Sequence, residues 1–359
     1  MNLRSLYLAL VLLVFGVSVQ AQTPKEVAQA KAQHSIELAD AGQLDSAMLL
    51  IREAIALDPE NHIYQYEEAY NYYQQKQFDS AITILNGLIK KDDAQDRYYQ
   101  LLGNSYDFLG QANKAIATYE AGLAKFPTST NLHFERGVMY LLGSEKSPQK
   151  AAASFEKGIQ ANPMYASNYY WLAKIYCASS EKVWGLIYGE LFMNLEPTSK
   201  RTEEMSALLY KTYKDAIVFK GDTISGSFTK SIIGDPTKAS KKTMLFGLLA
   251  FEPTMALSIV GEKSVSLASL SRIRSRFIDN YYELKLNKEY PNVLFDFQRD
   301  IKAAGHFDAY SNWILLKGSE AQFELWQKSH PKEWEAFTIY YEQHLLQLNE
   351  NNAVYFGKY

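Results

Sequence analysis

Residues 99–127 read YQLLGNSYDFLGQANKAIATYEAGLAKFP, and this stretch decides the fold. Tyr99, Leu102 and Tyr106 recur at steps of three and four, the spacing that places side chains on one face of a helix. Gly110 marks a turn, because glycine is common just past the end of a helix. A second helical pattern follows and stops at the final proline, which cannot continue a helix. The stretch therefore predicts two helices joined by a tight turn.

The same pattern recurs along the first half of the chain at a regular period. Small residues recur at spacings of 34, 34, 36 and 34, at Ala47, Ala81, Ala115, Ala151 and Gly185. A second series with the same spacings reads Pro59, Asp93, Pro127, Pro163 and Pro197. A third series has its 36-residue step last and reads Leu38, Tyr72, Tyr106, Tyr140 and Tyr176. Two extra residues therefore enter in the loop at 143–148, and the period is typical of helical repeat proteins.

The repeat resembles the tetratricopeptide repeat, whose pattern is W-x2-L-G-x2-Y…A-x3-F…P with the same period. The third repeat matches with Tyr99, Leu102, Gly103, Tyr106, Ala115, Tyr119 and Pro127. The fourth matches with His133, Arg136, Gly137, Tyr140, Ala151, Phe155 and Pro163, and the fifth with Tyr169, Leu172, Ala173, Tyr176, Gly185, Gly189 and Pro197. The first two repeats keep fewer positions, namely Ala47, Ile51 and Pro59, then Ala69, Tyr72, Ala81 and Leu85. The resemblance covers about Ala28–Pro197.

This resemblance implies a mostly all-α fold: an α-solenoid of five helix-turn-helix repeats at about 28–61, 62–95, 96–129, 130–165 and 166–199. Neighbouring repeats must stack, because one repeat cannot bury its own apolar face. The pattern places Gly103 and Gly137 where helix A of a repeat meets helix B most closely.

In the family, set positions of helix A line the concave side of the array. Carried over, they predict a groove of eight residues, here called the groove positions: Tyr66, Tyr70, Tyr73, Asn104, Asp107, Phe134, Tyr170 and Lys174. Aromatic anchors beside amide and charged groups suit an extended peptide. Aromatic side chains at helical spacing also suit a packed core, and the later part of the chain could fill the groove instead.

The first 21 residues resemble a secretory signal peptide. Arg4 supplies the positive charge, residues 6–19 are apolar, and Val19-Gln20-Ala21 fits a cleavage site. The apolar run is too short to cross a bilayer core. We therefore expect export to the periplasm or the medium after cleavage behind Ala21, with no stable membrane span remaining.

Composition narrows the remaining classes of protein. The chain has 359 residues, 47% of them hydrophobic, and a formal net charge of −3. That charge gives no electrostatic reason to bind nucleic acid, which needs a concentrated basic face. Cys177 is the single cysteine, so an intramolecular disulfide is excluded and stability must come from packing.

After Pro197 the period stops. We expect a capping helix at 198–219, a loop or short hairpin at 220–243 with a strand near Thr223–Thr229, and a C-terminal helical domain at 244–359. The candidate helices of that domain are Met244–Ala250, Pro253–Ile259, Ser266–Leu284, Pro291–Ala304, Asp308–Leu316, Glu320–Lys328 and Pro331–Leu348. Ser319 and Gln322 have the spacing of a capping box before the sixth of them.

The sequence offers little for catalysis. None of the six histidines falls in a metal-binding spacing, and neither a phosphate-binding glycine loop nor a nucleophile motif is present. His306 with Asp308 and His330 with Glu333 could serve as acid–base pairs, although helix capping suits them better. Cys177 is expected to be a buried thiol. We expect no metal and no cofactor.

These observations predict a non-enzymatic interaction scaffold of the cell envelope, which binds a protein or peptide partner through the groove. The sequence predicts no oligomeric state. Two other classes stay open: a glycan-binding component of an envelope uptake system, because tyrosine and tryptophan rings also fit sugars, and an enzyme whose site lies around His306 and Asp308.

Overall fold

Paired helices follow one another along the first part of the chain. The computed structural model describes residues 22–143, 146–220, 223–229 and 246–358, without the side chains of 220, 223 and 224. The predicted signal peptide at 1–21 lies outside the described residues, as do positions 144–145 of the insertion loop, 221–222 and 230–243 of the predicted hairpin region, and the first two residues of the helix expected at Met244–Ala250.

Ten helices form the five predicted pairs: α1 (Pro24–Asp40), α2 (Leu44–Leu57), α3 (His62–Gln74), α4 (Phe78–Leu88), α5 (Asp96–Phe108), α6 (Ala112–Lys125), α7 (Thr130–Leu142), α8 (Pro148–Ala161), α9 (Ala166–Cys177) and α10 (Lys182–Leu195). Helix α11 (Lys200–Ala216) follows the last pair. The chain divides into two compact units, one ending at Ala94 and the other beginning at Gln95. The first unit therefore holds α1–α4.

Glycine allows the close approach of helices within a repeat. A Cβ atom added to Gly103 on α5 would lie 2.2 Å from Cε1 of Tyr119 on α6. A Cβ atom added to Gly137 on α7 would lie 2.5 Å from Cε1 of Phe155 on α8. No real side chain tolerates such distances, so the predicted contact of helices A and B at these two positions is confirmed.

The turns between helices A and B use a left-handed residue in each of the first three repeats. Gly42 and Gly110 have φ angles of +77° and +72°, as expected of glycine at the end of a helix. Lys76 holds the equivalent place in the second repeat with φ 60°. A lysine in this conformation brings its Cβ too close to the backbone, which costs about 1–2 kcal/mol.

Lys76→Gly is therefore expected to raise the free energy of unfolding of the first unit by about 1 kcal/mol. Chemical denaturation followed by circular dichroism measures the change. Gly110→Ala, the reverse substitution at an equivalent turn, is expected to lower stability by a similar amount. A destabilised Lys76→Gly variant would contradict this interpretation of the turn.

The second unit ends in further helices packed on the last repeat. They are a π-helix (Phe246–Phe251), α12 (Glu252–Ile259), α13 (Leu267–Glu283), α14 (Leu286–Glu289), α15 (Val293–Ala303), α16 (Phe307–Leu315), α17 (Glu320–Ser329) and α18 (Pro331–Gln343), with short 3-10 turns at Leu316–Gly318 and Phe356–Lys358. Every residue of α10 from Val183 to Asn194 is buried. One cluster of buried apolar side chains runs from Ala151 to Val354, so repeats four and five share their core with the C-terminal helices.

Two short strands form a hairpin that begins inside the segment predicted as the capping helix at 198–219, because that helix ends at Ala216. Strand β1 (Ile217–Lys220) pairs antiparallel with β2 (Thr223–Gly226), with Ile217 opposite Gly226. The strand expected at Thr223–Thr229 ends three residues early. Beyond it, the amides of Phe228 and Thr229 donate hydrogen bonds to the Glu252 carboxylate at 2.5 and 2.8 Å.

The predicted capping box before α17 is wrong. Ser319 is the N-cap residue, but its side chain makes no capping hydrogen bond. The Gln322 side chain instead accepts a hydrogen bond from the amide of Leu267 at 2.8 Å. Gln322 thus accepts a hydrogen bond from another helix, although the local spacing predicts that it accepts one from its own cap. The last helix also ends at Gln343, five residues before the expected Leu348.

Candidate functional site

The groove positions of the first unit form a row of tyrosine rings on α3. Tyr66 stacks on Tyr70 with ring centroids 6.4 Å apart and an interplanar angle of 16°. Tyr70 stacks on Tyr73 at the same distance with an angle of 14°. Steps of four and three residues bring the rings to one face of the helix. Tyr73 also meets Phe78 edge-on at 5.5 Å, which anchors the row to the next helix.

The tyrosine row presents apolar surface to solvent. Tyr70 is 36% exposed, and Tyr66 and Tyr73 are half-buried. Rings of this kind combine a flat apolar face with a hydroxyl that can form hydrogen bonds, so they suit contact with both the side chains and the backbone of a peptide. The side chains lose little conformational freedom on binding, because each ring already packs against its neighbour.

The groove positions of α5 belong to a polar cluster in the second unit. The Tyr119 hydroxyl donates to Oδ1 of Asn104 at 2.5 Å, and the amide of Asn104 donates to Oε1 of Glu135 at 3.4 Å. The Gln100 amide donates to the same oxygen at 2.9 Å. Burial raises the pKa of Glu135, and nearby Asp107 adds to that rise while the two amides oppose it. Burial also raises the pKa of Asp107.

Sequence reasoning missed Glu135. It lies on α7, one helix A further along than Asn104, and the pattern that selected the groove positions does not include its place in the repeat. The sequence feature that could have indicated it is a carboxylate on α7, the helix A that follows α5 with its Asn104. Together these groups offer amide and carboxylate oxygens to a ligand.

Phe134, Tyr170 and Lys174 are engaged within the second unit. Phe134 packs against Phe155 and Tyr165, with ring centroids 5.8 and 5.4 Å away. These contacts leave Phe134 half-buried between helices.

Helix α11 covers the groove positions of α9. The Tyr170 hydroxyl donates to Oε2 of Glu204 at 2.6 Å, and Nζ of Lys174 donates to Oε1 of Glu204 at 2.7 Å. The Arg201 guanidinium lies 5.1 Å from the centre of the Tyr170 ring. Tyr170 is only 6% exposed as a result. Glu204 follows Tyr170 by one full repeat length, so α11 takes the place of a sixth helix A, although the repeat pattern stops before it. A binding role for Tyr170 and Lys174 stays a prediction.

Comparison with known protein families supports the predicted tetratricopeptide repeat. Two family models, each described as a tetratricopeptide repeat, match residues 38–105 and 101–166. Residues 38–166 belong to the tetratricopeptide-repeat (TPR) family. The paired helices α2–α8 are the structural form of this match, with TPR glycines at Gly103 and Gly137.

Solved TPR structures are similar to about half of this chain. The pilF protein of Pseudomonas aeruginosa is 17% identical over 54% of this chain and 86% of its own, with a TM-score of 0.47. TTC0263, a TPR protein of Thermus thermophilus, is 18% identical over 51% of this chain and 98% of its own, with a TM-score of 0.42. YrrB, described as a TPR protein with an unusual peptide-binding site, is 15% identical over 48% of this chain and 89% of its own, with a TM-score of 0.37. What this chain binds therefore has to be inferred from its own side chains.

The candidate acid–base pairs have other neighbours. The His306 ring lies 4.7 Å from the Tyr340 ring, while Asp308 accepts hydrogen bonds from the Ser271 hydroxyl and, at 2.7 Å, from the Trp326 indole. His330 stacks on Trp326 with ring centroids 5.2 Å apart. These groups connect helices of the C-terminal part to one another.

Cys177 is buried, and burial raises the pKa of its thiol to about 11, which keeps it protonated at neutral pH. Among the residues that the structure describes, no three His, Cys, Asp or Glu side chains are grouped to hold a metal ion. None of the helices in the described ranges is both long and apolar enough to cross a bilayer.

Proposed function

We propose that this protein is a non-enzymatic interaction scaffold whose TPR domain binds an extended peptide segment of a partner protein. The tyrosine row on α3 carries the proposal. Its ring centroids are 6.4 Å apart at both steps. An extended chain rises about 3.2–3.4 Å per residue, so its alternate side chains lie about 6.4–6.8 Å apart. Successive rings can therefore each contact one alternate side chain of the bound peptide.

The place of action that we propose is the cell envelope. The features of residues 1–21 support export and cleavage behind Ala21, which would leave Gln22 at the N-terminus. The partner is then another exported or envelope protein. Mass spectrometry of the protein recovered from a periplasmic fraction tests this step, and a chain that retains residues 1–21 in the cytoplasmic fraction would contradict it.

Tyr70→Ala is expected to weaken peptide binding about fivefold or more, because truncating an aromatic anchor at an interface costs more than about 1 kcal/mol. Peptides are first selected from a random library on the purified protein, and their Kd values are then measured by isothermal titration calorimetry. Tyr70 is the most exposed of the three rings, so its loss is expected to leave the fold intact.

Leu49→Ala is the matched control. Leu49 is a large apolar side chain of the same unit, 62% exposed on α2, and lies outside the tyrosine row. Its variant is expected to bind the selected peptides with unchanged Kd. Equal Kd values for the wild type and the Tyr66→Ala/Tyr70→Ala/Tyr73→Ala variant would show that the row is not the binding surface.

A further inference from the structure

A tyrosine–glutamate link occurs in two successive repeats of the second unit, in two different environments. The Tyr140 hydroxyl donates to Oε1 of Glu120 at 3.0 Å, and one repeat later the Tyr176 hydroxyl donates to Oε1 of Glu156 at 3.2 Å. Glu120 is exposed. Glu156 is half-buried, with the last repeat and the C-terminal turn beside it, so the same link lies in a less exposed environment there.

Tyr176, Tyr188 and Phe356 lie beside the Glu156 carboxylate. The Tyr188 hydroxyl donates to its Oε1 at 3.1 Å and accepts a hydrogen bond from the backbone amide of Phe356 at 2.7 Å. The Phe356 ring stacks on Tyr176 with centroids 5.6 Å apart and meets Trp184 edge-on at 5.4 Å. The C-terminal turn is therefore fixed beside the carboxylate.

A cavity of about 960 Å³ adjoins this carboxylate. Its walls are mainly apolar side chains of α7, α8, α9 and the C-terminal turn, among them Leu141, Ala152, Trp171, Ile175, Tyr176 and Phe356. Cavities of this size commonly hold small molecules, with a few polar groups that fix their orientation.

The other charged groups that line the cavity already have partners, whereas Glu156 has no cation beside it. Lys174 pairs with Glu204 at 2.7 Å, and the Glu181 carboxylate accepts a hydrogen bond from the Thr229 hydroxyl at 2.7 Å. Among the described residues, no cationic nitrogen lies within 4 Å of the Glu156 carboxylate, and Lys157 on the same helix acts on it only at longer range. Burial raises the pKa of Glu156 to about 7, against the opposing effect of the hydrogen bonds from Tyr188 and Tyr176.

We propose that this cavity binds a small apolar ligand that carries a protonated amine, and that the Glu156 carboxylate pairs with the amine. A half-buried carboxylate without a counter-ion gains more from a cation than a fully exposed one does, because water screens it less. The apolar walls bury the remainder of the ligand. The site uses residues other than the tyrosine row of α3, so it does not depend on the proposed peptide binding.

Binding of the amine is expected to depend on pH. Protonated Glu156 must lose its proton before it can pair with the amine, so affinity rises as pH increases from about 5.5 to 8 and then levels off. The titratable and charged groups that face Glu156 from the packed elements are Tyr176, Tyr188, Lys157, Lys174 and Glu181.

Two probes of equal shape distinguish the contribution of the cation to binding from that of the apolar part of the ligand. 4-Phenylbutylamine carries the charge, and 4-phenylbutan-1-ol replaces it with a hydroxyl. Calorimetric titration at pH 8 is expected to give a Kd at least tenfold lower for the amine than for the alcohol with the wild type. Glu156→Gln is expected to bind the two probes within about twofold of each other and to lose the pH dependence. Glu120→Gln, the matched control in the preceding repeat, is expected to keep the full preference.

A further variant tests whether the probes bind in this cavity. Ala153 lines the cavity and is exposed, so Ala153→Trp is expected to fold and to block both probes. The proposal is overturned if the wild type binds neither probe, if it binds both equally, or if the preference for the amine survives in Glu156→Gln. Binding of a lysine-containing peptide without binding of the amine would likewise replace it with a peptide site.

Discussion

Arg274→Met is expected to lower the free energy of unfolding of the second unit by about 3–5 kcal/mol, because it leaves a buried carboxylate without its cation. Arg274 on α13 and Glu190 on α10 form an ion pair, and their side chains are 4% and 5% exposed. The Gln298 amide donates to the same Glu190 oxygen at 2.5 Å, and Arg274 donates to the Ser311 hydroxyl at 2.7 Å. The pair therefore joins the last repeat to three helices of the C-terminal part.

Tryptophan fluorescence during urea unfolding measures the free energy of unfolding of the second unit. All five tryptophans lie after Gln95, at Trp171, Trp184, Trp313, Trp326 and Trp334. The signal therefore follows the second unit alone.

Arg276→Met is the control for Arg274→Met. Arg276 lies on the same helix, but its side chain is 38% exposed, and it shares Glu262 with Arg272. Its loss is expected to cost at most about 1 kcal/mol. Replacing both members of the buried pair, in Glu190→Leu/Arg274→Met, is expected to recover most of the stability, because no charge is then left unpaired. A similar small loss for Arg274→Met and Arg276→Met would contradict the role of the buried pair.

Gly103→Leu is expected to destabilise the second unit by about 1–3 kcal/mol through overpacking. The new Cβ atom would fall 2.2 Å from the Tyr119 ring. That ring cannot move aside easily, because it is 1% exposed and its hydroxyl is bonded to Asn104. Thermal melting followed by circular dichroism measures the loss.

Gly87→Leu gives the opposite expectation. Gly87 lies on an exposed face of α4, and a Cβ atom there would meet nothing within 4 Å. Leucine is a better helix former than glycine, so this variant is expected to gain up to about 1 kcal/mol. If Gly103→Leu melted like the wild type, the alignment of the repeat glycines would be wrong.

The sequence predicts best what the repeat dictates by steric necessity. A small residue such as Gly103 recurs where two helices touch, so spacing alone finds the helix pairs and their contact. Lys76 holds the same place in its repeat as Gly42 and Gly110. It also has a positive φ, although it is not a glycine.

What the sequence did not predict depends on residues far apart in the chain. The local spacing predicts that the Gln322 side chain belongs to a capping box, but it accepts a hydrogen bond from the amide of Leu267. Glu204 covers Tyr170 from a helix that no longer carries the repeat pattern. The pairing of Glu190 with Arg274 spans 84 residues, and no periodicity in the sequence connects them. Among the aromatic groove positions, Tyr70 of the tyrosine row on α3 is the most exposed.

Hydrogen–deuterium exchange of the purified protein, with and without a selected peptide, tests the central claim most directly. We predict slower exchange in residues 62–74, which form α3, and unchanged exchange around His306 and Asp308. Slower exchange confined to the region of His306 and Asp308, with α3 unaffected, would contradict a scaffold that holds its partner through the tyrosine row.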